Sequence, residues 1–136
     1  MNEPKVNFLC IGAQKAGTTS LPMYLRSNKE LLTDDEYCND VYMSNDEIAF
    51  FSKEDVTEKS INNYEKKFDS NKNHTLIGEK TPSYCFPYVI DKIHKYNPNM
   101  KLIFLSDRVL FVFNVDFIKL KFIVVINIYV KTVQKN

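Results

Sequence analysis

Residues able to bind an oxyanion lie close together near the start of the chain, in FLCIGAQKAGTTSL at positions 8–21. Gly12 and Gly17 have the spacing of the glycines in a nucleotide-triphosphatase loop, G-x-x-x-x-G-K-[ST]. Here Thr18 and Thr19 follow the second glycine, and Lys15 lies inside the loop. A loop between a buried strand and a helix start directs several backbone N–H groups toward one point, where the helix dipole favours negative charge. The stretch therefore predicts an anion site.

Two other interpretations of the loop are open at this point. One is a small nucleoside-triphosphate kinase, in which a threonine hydroxyl and a carboxylate at a strand end hold Mg²⁺. The downstream apolar runs do not end in such an aspartate, since TLIGEK ends in Glu79–Lys80 and KLIFLSD in Ser106–Asp107. The other interpretation is an ordinary glycine turn with an exposed lysine.

Three further stretches follow the loop: NDEIAFF at 45–51, IGEKTPSY at 77–84 and NPNMKLIFL at 97–105. With IGAQKAGTTSL in front, they resemble the sulfotransferase domain family that uses 3′-phosphoadenosine 5′-phosphosulfate (PAPS), particularly the branch that acts on heparan sulfate. That family reads IGxxKxGTTxL, E-x-x-FF, GEK[ST]PxY, and then a strand leading to an arginine that binds the 3′-phosphate. The resemblance covers about residues 8–105. It implies an α/β fold of the P-loop-like kind, a three-layer parallel sheet with helices on both faces.

The resemblance also implies roles for individual residues. Glu47 would be the general base toward a hydroxyl or amine of the acceptor, a glycan such as heparan sulfate, and Lys80 would lie beside the transferring group. In-line sulfuryl transfer needs a deprotonated nucleophile and nearby cations, so no metal ion is expected. Without the resemblance, Glu47 would be interpreted as a surface charge. We expect Phe50 and Phe51 to be core residues and not a platform for the substrate. The 5′-phosphosulfate would lie on Lys15, Ala16, Gly17, Thr18, Thr19 and Ser20, with Lys15 also neutralising the leaving oxygen.

The chain departs from the family pattern after Leu105. Asp107 occupies the expected position of the arginine, and Arg108 follows one residue late as the candidate 3′-phosphate ligand. An aspartate there would repel that phosphate. We therefore expect residues 1–108 to be the N-terminal half of a sulfotransferase domain, truncated relative to the family. The alternative is a non-catalytic remnant with a vestigial phosphate-binding loop. The family suggests the Golgi lumen, but we recognise no signal or anchor segment.

Residues 109–136 form an apolar tail without glycine, proline or serine. A membrane span over Val109–Val130 is not expected, because Asp116, Lys119 and Lys121 would each cost about 2.5–3.5 kcal/mol. The remaining interpretations are additional β-strands and a non-native continuation of the chain. We favour the second because the composition changes abruptly after Arg108.

Hydrophobic periodicity predicts the elements that position these residues. Apolar runs at Val6–Ile11, Thr75–Gly78 and Lys101–Leu105 indicate buried strands, with a loop over Glu79–Tyr84. Apolar residues three and four apart indicate a helix over Glu58–Asp69 capped by Thr57. Two more helices are expected: one containing Leu21 and Leu25, in which Pro22 falls in the first turn, and one containing Val89, Ile90, Ile93 and Tyr96 and ended by Pro98. Alternating strands and helices predict an α/β fold.

Composition narrows the functional classes. Eighteen basic and seventeen acidic residues leave a net charge of +1 in 136 residues, which does not indicate a nucleic-acid or anionic membrane partner. The three cysteines are far apart and indicate neither disulfides nor a zinc site. His74 and His94 are isolated, and we expect both to be ordinary surface or packing residues.

Overall fold

The computed structural model describes residues 3–12, 21–38, 40–44, 47–68, 75–81, 84, 86–105 and 110–116. The strands are β1 (Phe8–Gly12), β2 (Asp40–Met43), β3 (Thr75–Lys80), β4 (Lys101–Leu105) and β5 (Leu110–Asn114). The helices are α1 (Leu21–Ser27), α2 (Phe50–Lys53), α3 (Glu58–Glu65) and α4 (Pro87–Tyr96), with a short 3₁₀ turn at Lys29–Leu31.

The described strands form one sheet in the order β2-β3-β1-β4-β5. The strands β2, β3, β1 and β4 are parallel to one another, and β5 is antiparallel to β4. The prediction of an α/β fold with a largely parallel sheet is confirmed.

Two hydrophobic clusters lie on the two faces of this sheet. Leu9 and Ile11 of β1 pack with residues of α2, α3 and α4, whereas Phe8 and Cys10 pack with Leu21 and Leu25 of α1. Successive side chains of a strand point to opposite faces, so β1 is covered on both sides. This double burial explains why β1 reads as a continuous apolar run.

The strands differ from the prediction in two places, the end of β3 and the additional strand β2. The expected loop at Glu79–Tyr84 is wrong in its first two residues, because β3 continues to Lys80 and pairs Glu79 with Leu9 and Lys80 with Cys10. Pairing with a neighbouring strand keeps these charged residues extended despite their low β-propensity. The second correction is β2, which the sequence did not predict. It is a short edge strand, and only Val41 of its four residues is buried.

The predicted helices hold in position, and α3 is shorter than predicted. α3 begins under Thr57, whose hydroxyl accepts the Ser60 N–H while the Ser60 hydroxyl accepts the Thr57 N–H. This capping box confirms the predicted N-terminus. The helix ends at Glu65 rather than Asp69. α2, a single turn after Ala49, was not predicted.

Part of the apolar tail lies in the sheet. β5 pairs with β4 in the register Lys101↔Asn114, and the Val115 side chain after it is fully buried in the core. The Val115 N–H donates to the Met100 carbonyl at 2.9 Å, and His94 Nε2 lies 2.5 Å from an Asp116 carboxylate oxygen. The strand interpretation therefore applies to residues 110–114. The interpretation of residues 109–136 as a non-native continuation stays a prediction.

None of the described helices combines the length and hydropathy needed to cross a membrane. Most of the segment considered as a span, residues 117–130, lies outside the described residues.

Candidate functional site

The carboxyl ends of three adjacent parallel strands meet at one edge of the sheet. β1 ends at Gly12, β3 at Lys80 and β4 at Leu105, with Cys10 opposite Lys80 and Gly12 opposite Phe104 in the register. The helix after β1 covers one face of the sheet, and the helix after β3 covers the other. In open α/β sheets, ligands bind outside the carboxyl ends of the strands. They bind at the point where the connections after two adjacent strands go to opposite faces of the sheet. We take this edge as the candidate site.

The predicted anion loop begins at this edge. Its flanking residues are described: Gly12 ends β1, and Leu21, which starts α1, is buried against the sheet. The loop residues assigned to the phosphosulfate, and the candidate 3′-phosphate ligand, lie outside the described residues. They are Lys15, Ala16, Gly17, Thr18, Thr19, Ser20 and Arg108.

Lys80 is the last residue of β3 and is partly exposed. The neighbouring Cys10 thiol is buried, and this burial raises its pKa to about 11. Two weaker effects lower that pKa: a hydrogen bond from the thiol to the Gly12 carbonyl at 3.6 Å, and the positive charge of Lys80. The ammonium group of Lys80 is therefore close enough to the end of β1 to influence its electrostatics. Cys10 itself stays a neutral thiol near pH 7, so it is poorly suited to be a nucleophile.

Glu47 is exposed and lies in the segment 47–49 that leads into α2. Two residues later, the Ala49 N–H donates to the Thr81 hydroxyl oxygen at 3.4 Å. Thr81 directly follows Lys80, so the structure brings together the segments that carry Glu47 and Lys80.

Glu79 is a buried carboxylate that sequence reasoning missed, having placed it in a loop. Its side chain has no solvent exposure, and its Oε1 atom accepts the Thr81 hydroxyl at 2.7 Å and the Tyr84 hydroxyl at 3.0 Å. The Tyr64 hydroxyl donates to Oε2. The signal in the sequence was the hydroxyl residues two and five positions after the glutamate.

Burial dominates the electrostatics of this cluster. Desolvation raises the pKa of the Glu79 carboxyl, while the hydroxyl donors Tyr64, Thr81 and Tyr84 and the charge of Lys67 act to lower it. Desolvation also raises the pKa values of Tyr64 and Tyr84, and the negative charge of Glu79 raises them further. Both phenols therefore remain hydrogen-bond donors at physiological pH. In the described part of the chain, no fully buried side-chain nitrogen or oxygen lacks a hydrogen-bond partner.

Phe50 and Phe51 are buried beside this cluster, which confirms their prediction as core residues. The Phe51 ring makes edge contacts with Tyr64 and Tyr84, at centroid distances of 5.4 Å each. Phe50 stacks on Tyr64 at 4.3 Å. The two phenylalanines thus pack on tyrosines that donate to Glu79, and they are not exposed to contact a substrate.

Over the described ranges, no group of three or more histidine, cysteine, aspartate or glutamate side chains is placed to hold a metal ion. No protein-family model matches the chain, and no curated protein matches it significantly.

Proposed function

We propose that the chain is a PAPS-dependent sulfotransferase domain that transfers a sulfuryl group to a hydroxyl or amine of a glycan such as heparan sulfate. One observation carries this proposal. The Ala49 N–H donates to the Thr81 hydroxyl across 32 residues of sequence, joining the two stretches NDEIAFF and IGEKTPSY that resemble family motifs. If the similarity of the two stretches were due to chance, there would be no reason for them to lie in contact near the end of β1, where the predicted anion loop begins.

The architecture supports a P-loop-like version of the α/β fold. β1 lies inside the sheet between β3 and β4, and residues 13–20 connect it to α1. The loop therefore leaves the sheet at the carboxyl edge, where backbone N–H groups at a helix start favour an anion. Lys80 adds a cation at the same edge. A donor with a phosphate and a sulfate group suits this combination of charges and N–H donors.

In this proposal PAPS supplies the sulfuryl group, and the residues of the chain bind it and move one proton. Glu47 is exposed and can reach an acceptor from solvent, so it takes the proton of the attacking hydroxyl or amine. A bond forms between the acceptor atom and sulfur, and the bond from sulfur to the bridging phosphate oxygen breaks. Lys80 and Lys15 neutralise charge on the transferring group and on the leaving oxygen.

Binding of the donor is tested by calorimetric titration with 3′-phosphoadenosine 5′-phosphate, the desulfated product. We expect Lys15→Ala to weaken binding at least about tenfold, since it removes a charge-assisted contact. Lys59→Ala, at an exposed position of α3, is the control and should bind like the wild type. Binding of Mg²⁺-ATP instead would indicate a kinase, and binding of neither nucleotide would indicate the non-catalytic remnant.

Transfer is tested with isotopically labelled PAPS and N-desulfated heparan sulfate as the acceptor. Glu47→Gln should lower kcat by about 10²–10⁴, the usual contribution of a general base. Glu36→Gln changes an equally exposed carboxylate elsewhere and should leave kcat unchanged. Full transfer by the Glu47→Gln variant would contradict our choice of base.

A further inference from the structure

We propose that Glu79, Thr81 and Tyr84 form a clamp that positions the segment of Glu47 relative to Lys80. Glu79 is thus a positioning residue for the sulfuryl transfer proposed above, on which this inference rests. The three side chains are buried and are referred to below as the hydroxyl clamp.

The clamp makes two parallel bridges from one carboxylate oxygen to the backbone of the 47–51 segment. In the first, the Ala49 N–H donates to the Thr81 hydroxyl at 3.4 Å, which donates to Glu79 Oε1 at 2.7 Å. In the second, the Phe51 N–H donates to the Tyr84 hydroxyl at 3.4 Å, which donates to the same Oε1 at 3.0 Å. Both bridges begin at Glu79, which precedes Lys80 in β3. They end at backbone N–H groups of the segment that carries Glu47.

The carboxylate sets the direction of both bridges. When it is ionised, the Glu79 carboxylate can only accept hydrogen bonds, so each hydroxyl then directs its single hydrogen at Glu79. Each hydroxyl oxygen is then left to accept a backbone N–H. An amide at position 79 would place two donors in the same space and would not orient the hydroxyls in this way.

The segment has features that make it depend on such bridges. Ala49 has a φ of 56°, a left-handed conformation that is unfavourable for a residue with a Cβ atom. α2 has only four residues, too few to be stable without tertiary contacts. Glu47, before this turn, is exposed and has little packing of its own. Its placement therefore follows from how Ala49 and Phe51 are held.

Catalysis is sensitive to this placement, since a misplacement of about 1 Å can cost about 10²-fold in rate. The clamp should accordingly affect kcat and leave donor binding, at the loop after β1, largely unchanged.

The full chain is tested with Tyr84→Phe, and with Tyr96→Phe as the matched control. The Tyr96 ring packs on Phe51 at a centroid distance of 5.5 Å, as the Tyr84 ring does at 5.4 Å, and the variant keeps this ring. The Tyr96 hydroxyl, which the variant removes, bonds to Glu65 and to the Val6 N–H and not to the backbone of the 47–51 segment. Using PAPS and N-desulfated heparan sulfate, we expect Tyr84→Phe to lower kcat about tenfold or more with little change in KM for PAPS. Tyr96→Phe should keep kcat within about twofold. Equal losses of kcat in both variants, or no loss in Tyr84→Phe, would overturn the positioning role.

A conservative replacement at Thr81 provides a second test. Thr81→Val keeps the shape and removes the hydroxyl, whereas Thr81→Ser keeps the hydroxyl. The clamp predicts that Val lowers kcat and that Ser restores it. If the two variants have the same kcat, the Thr81 bridge does not position Glu47.

Amide hydrogen exchange separates failure of the clamp from failure of the proposed function. If the wild type neither binds the nucleotide nor transfers sulfate, the proposed function is wrong, and the clamp is judged by exchange alone. Tyr84→Phe should then speed exchange of the Phe51 amide by about tenfold, while Tyr96→Phe leaves it unchanged. Unchanged protection of the Phe51 amide in Tyr84→Phe would overturn the clamp irrespective of activity.

Discussion

At the scale of single residues, the buried carboxylate of Glu79 connects hydroxyl groups from two parts of the described fold. It accepts hydroxyl hydrogen bonds from Tyr64, Thr81 and Tyr84, which come from α3 and from the segment after β3. Composition does not distinguish it from the other acidic residues. Its role follows from burial, because a carboxylate removed from water needs hydrogen-bond donors to be retained.

The stability of the fold should depend on pH through this carboxyl group. Burial holds the Glu79 pKa in the folded state above its ordinary value of 4.5. Between 4.5 and the raised pKa, the folded state binds one proton more than the unfolded state, so the unfolding free energy decreases as pH rises. The stabilising contribution is full below pH 4.5 and is lost through the folded pKa, at up to about 1.4 kcal/mol per pH unit.

Urea unfolding of the wild type and of Glu79→Gln at a series of pH values measures this effect. The difference in unfolding free energy between the two proteins should shift in favour of the variant as pH rises, because glutamine does not titrate. Parallel pH curves for the two proteins would contradict the assignment.

At the scale of elements, the contact between β1 and β3 determines where the site residues lie. Periodicity predicted β1, β3 and β4 with small errors at their ends, since each contains a run of buried apolar residues. It did not reveal that Phe8 packs over Gly78, where a Cβ atom would lie 2.3 Å from the ring. This close packing brings the two strands into register and places Lys80 beside Cys10.

Gly78→Ala should lower the unfolding free energy by about 1–3 kcal/mol, because the added methyl group overpacks a buried ring. A smaller side chain at position 8 should remove part of the conflict. We expect the double variant Phe8→Leu with Gly78→Ala to be less destabilised than the sum of the two single changes, as measured by chemical denaturation. Additive effects would show that the ring and the new methyl group do not interact.

At the scale of the whole molecule, β5 extends the sheet beyond the last strand that the sequence predicted. The sequence was ambiguous here, because an apolar stretch without turn residues is compatible with a strand, a span or an unrelated continuation. Pairing with β4 and burial of Val115 make residues 110–115 part of the described fold.

Val115→Asp tests this directly. The change places an unpaired charge in the core and should lower the unfolding free energy by about 3–5 kcal/mol. Asn114→Asp introduces the same group at the exposed neighbouring position and should change stability by less than about 0.5 kcal/mol. Thermal unfolding monitored by circular dichroism distinguishes the two. Equal stabilities for the two variants would mean that this stretch does not pack on the sheet.

The sequence by itself determined the α/β class, the capped start of α3 and the core position of Phe50 and Phe51, because periodicity, capping and apolar burial are local properties. The spacing Gly12–Gly17 and the motifs at 45–51 and 77–84 also led from the sequence to a sulfotransferase hypothesis. Only the tertiary structure decided that β3 reaches Lys80, that β2 and β5 join the sheet, and that Glu79 connects two motifs. These features depend on hydrogen bonds and packing between residues far apart in the chain, such as Ala49 and Thr81, and no local pattern records such contacts.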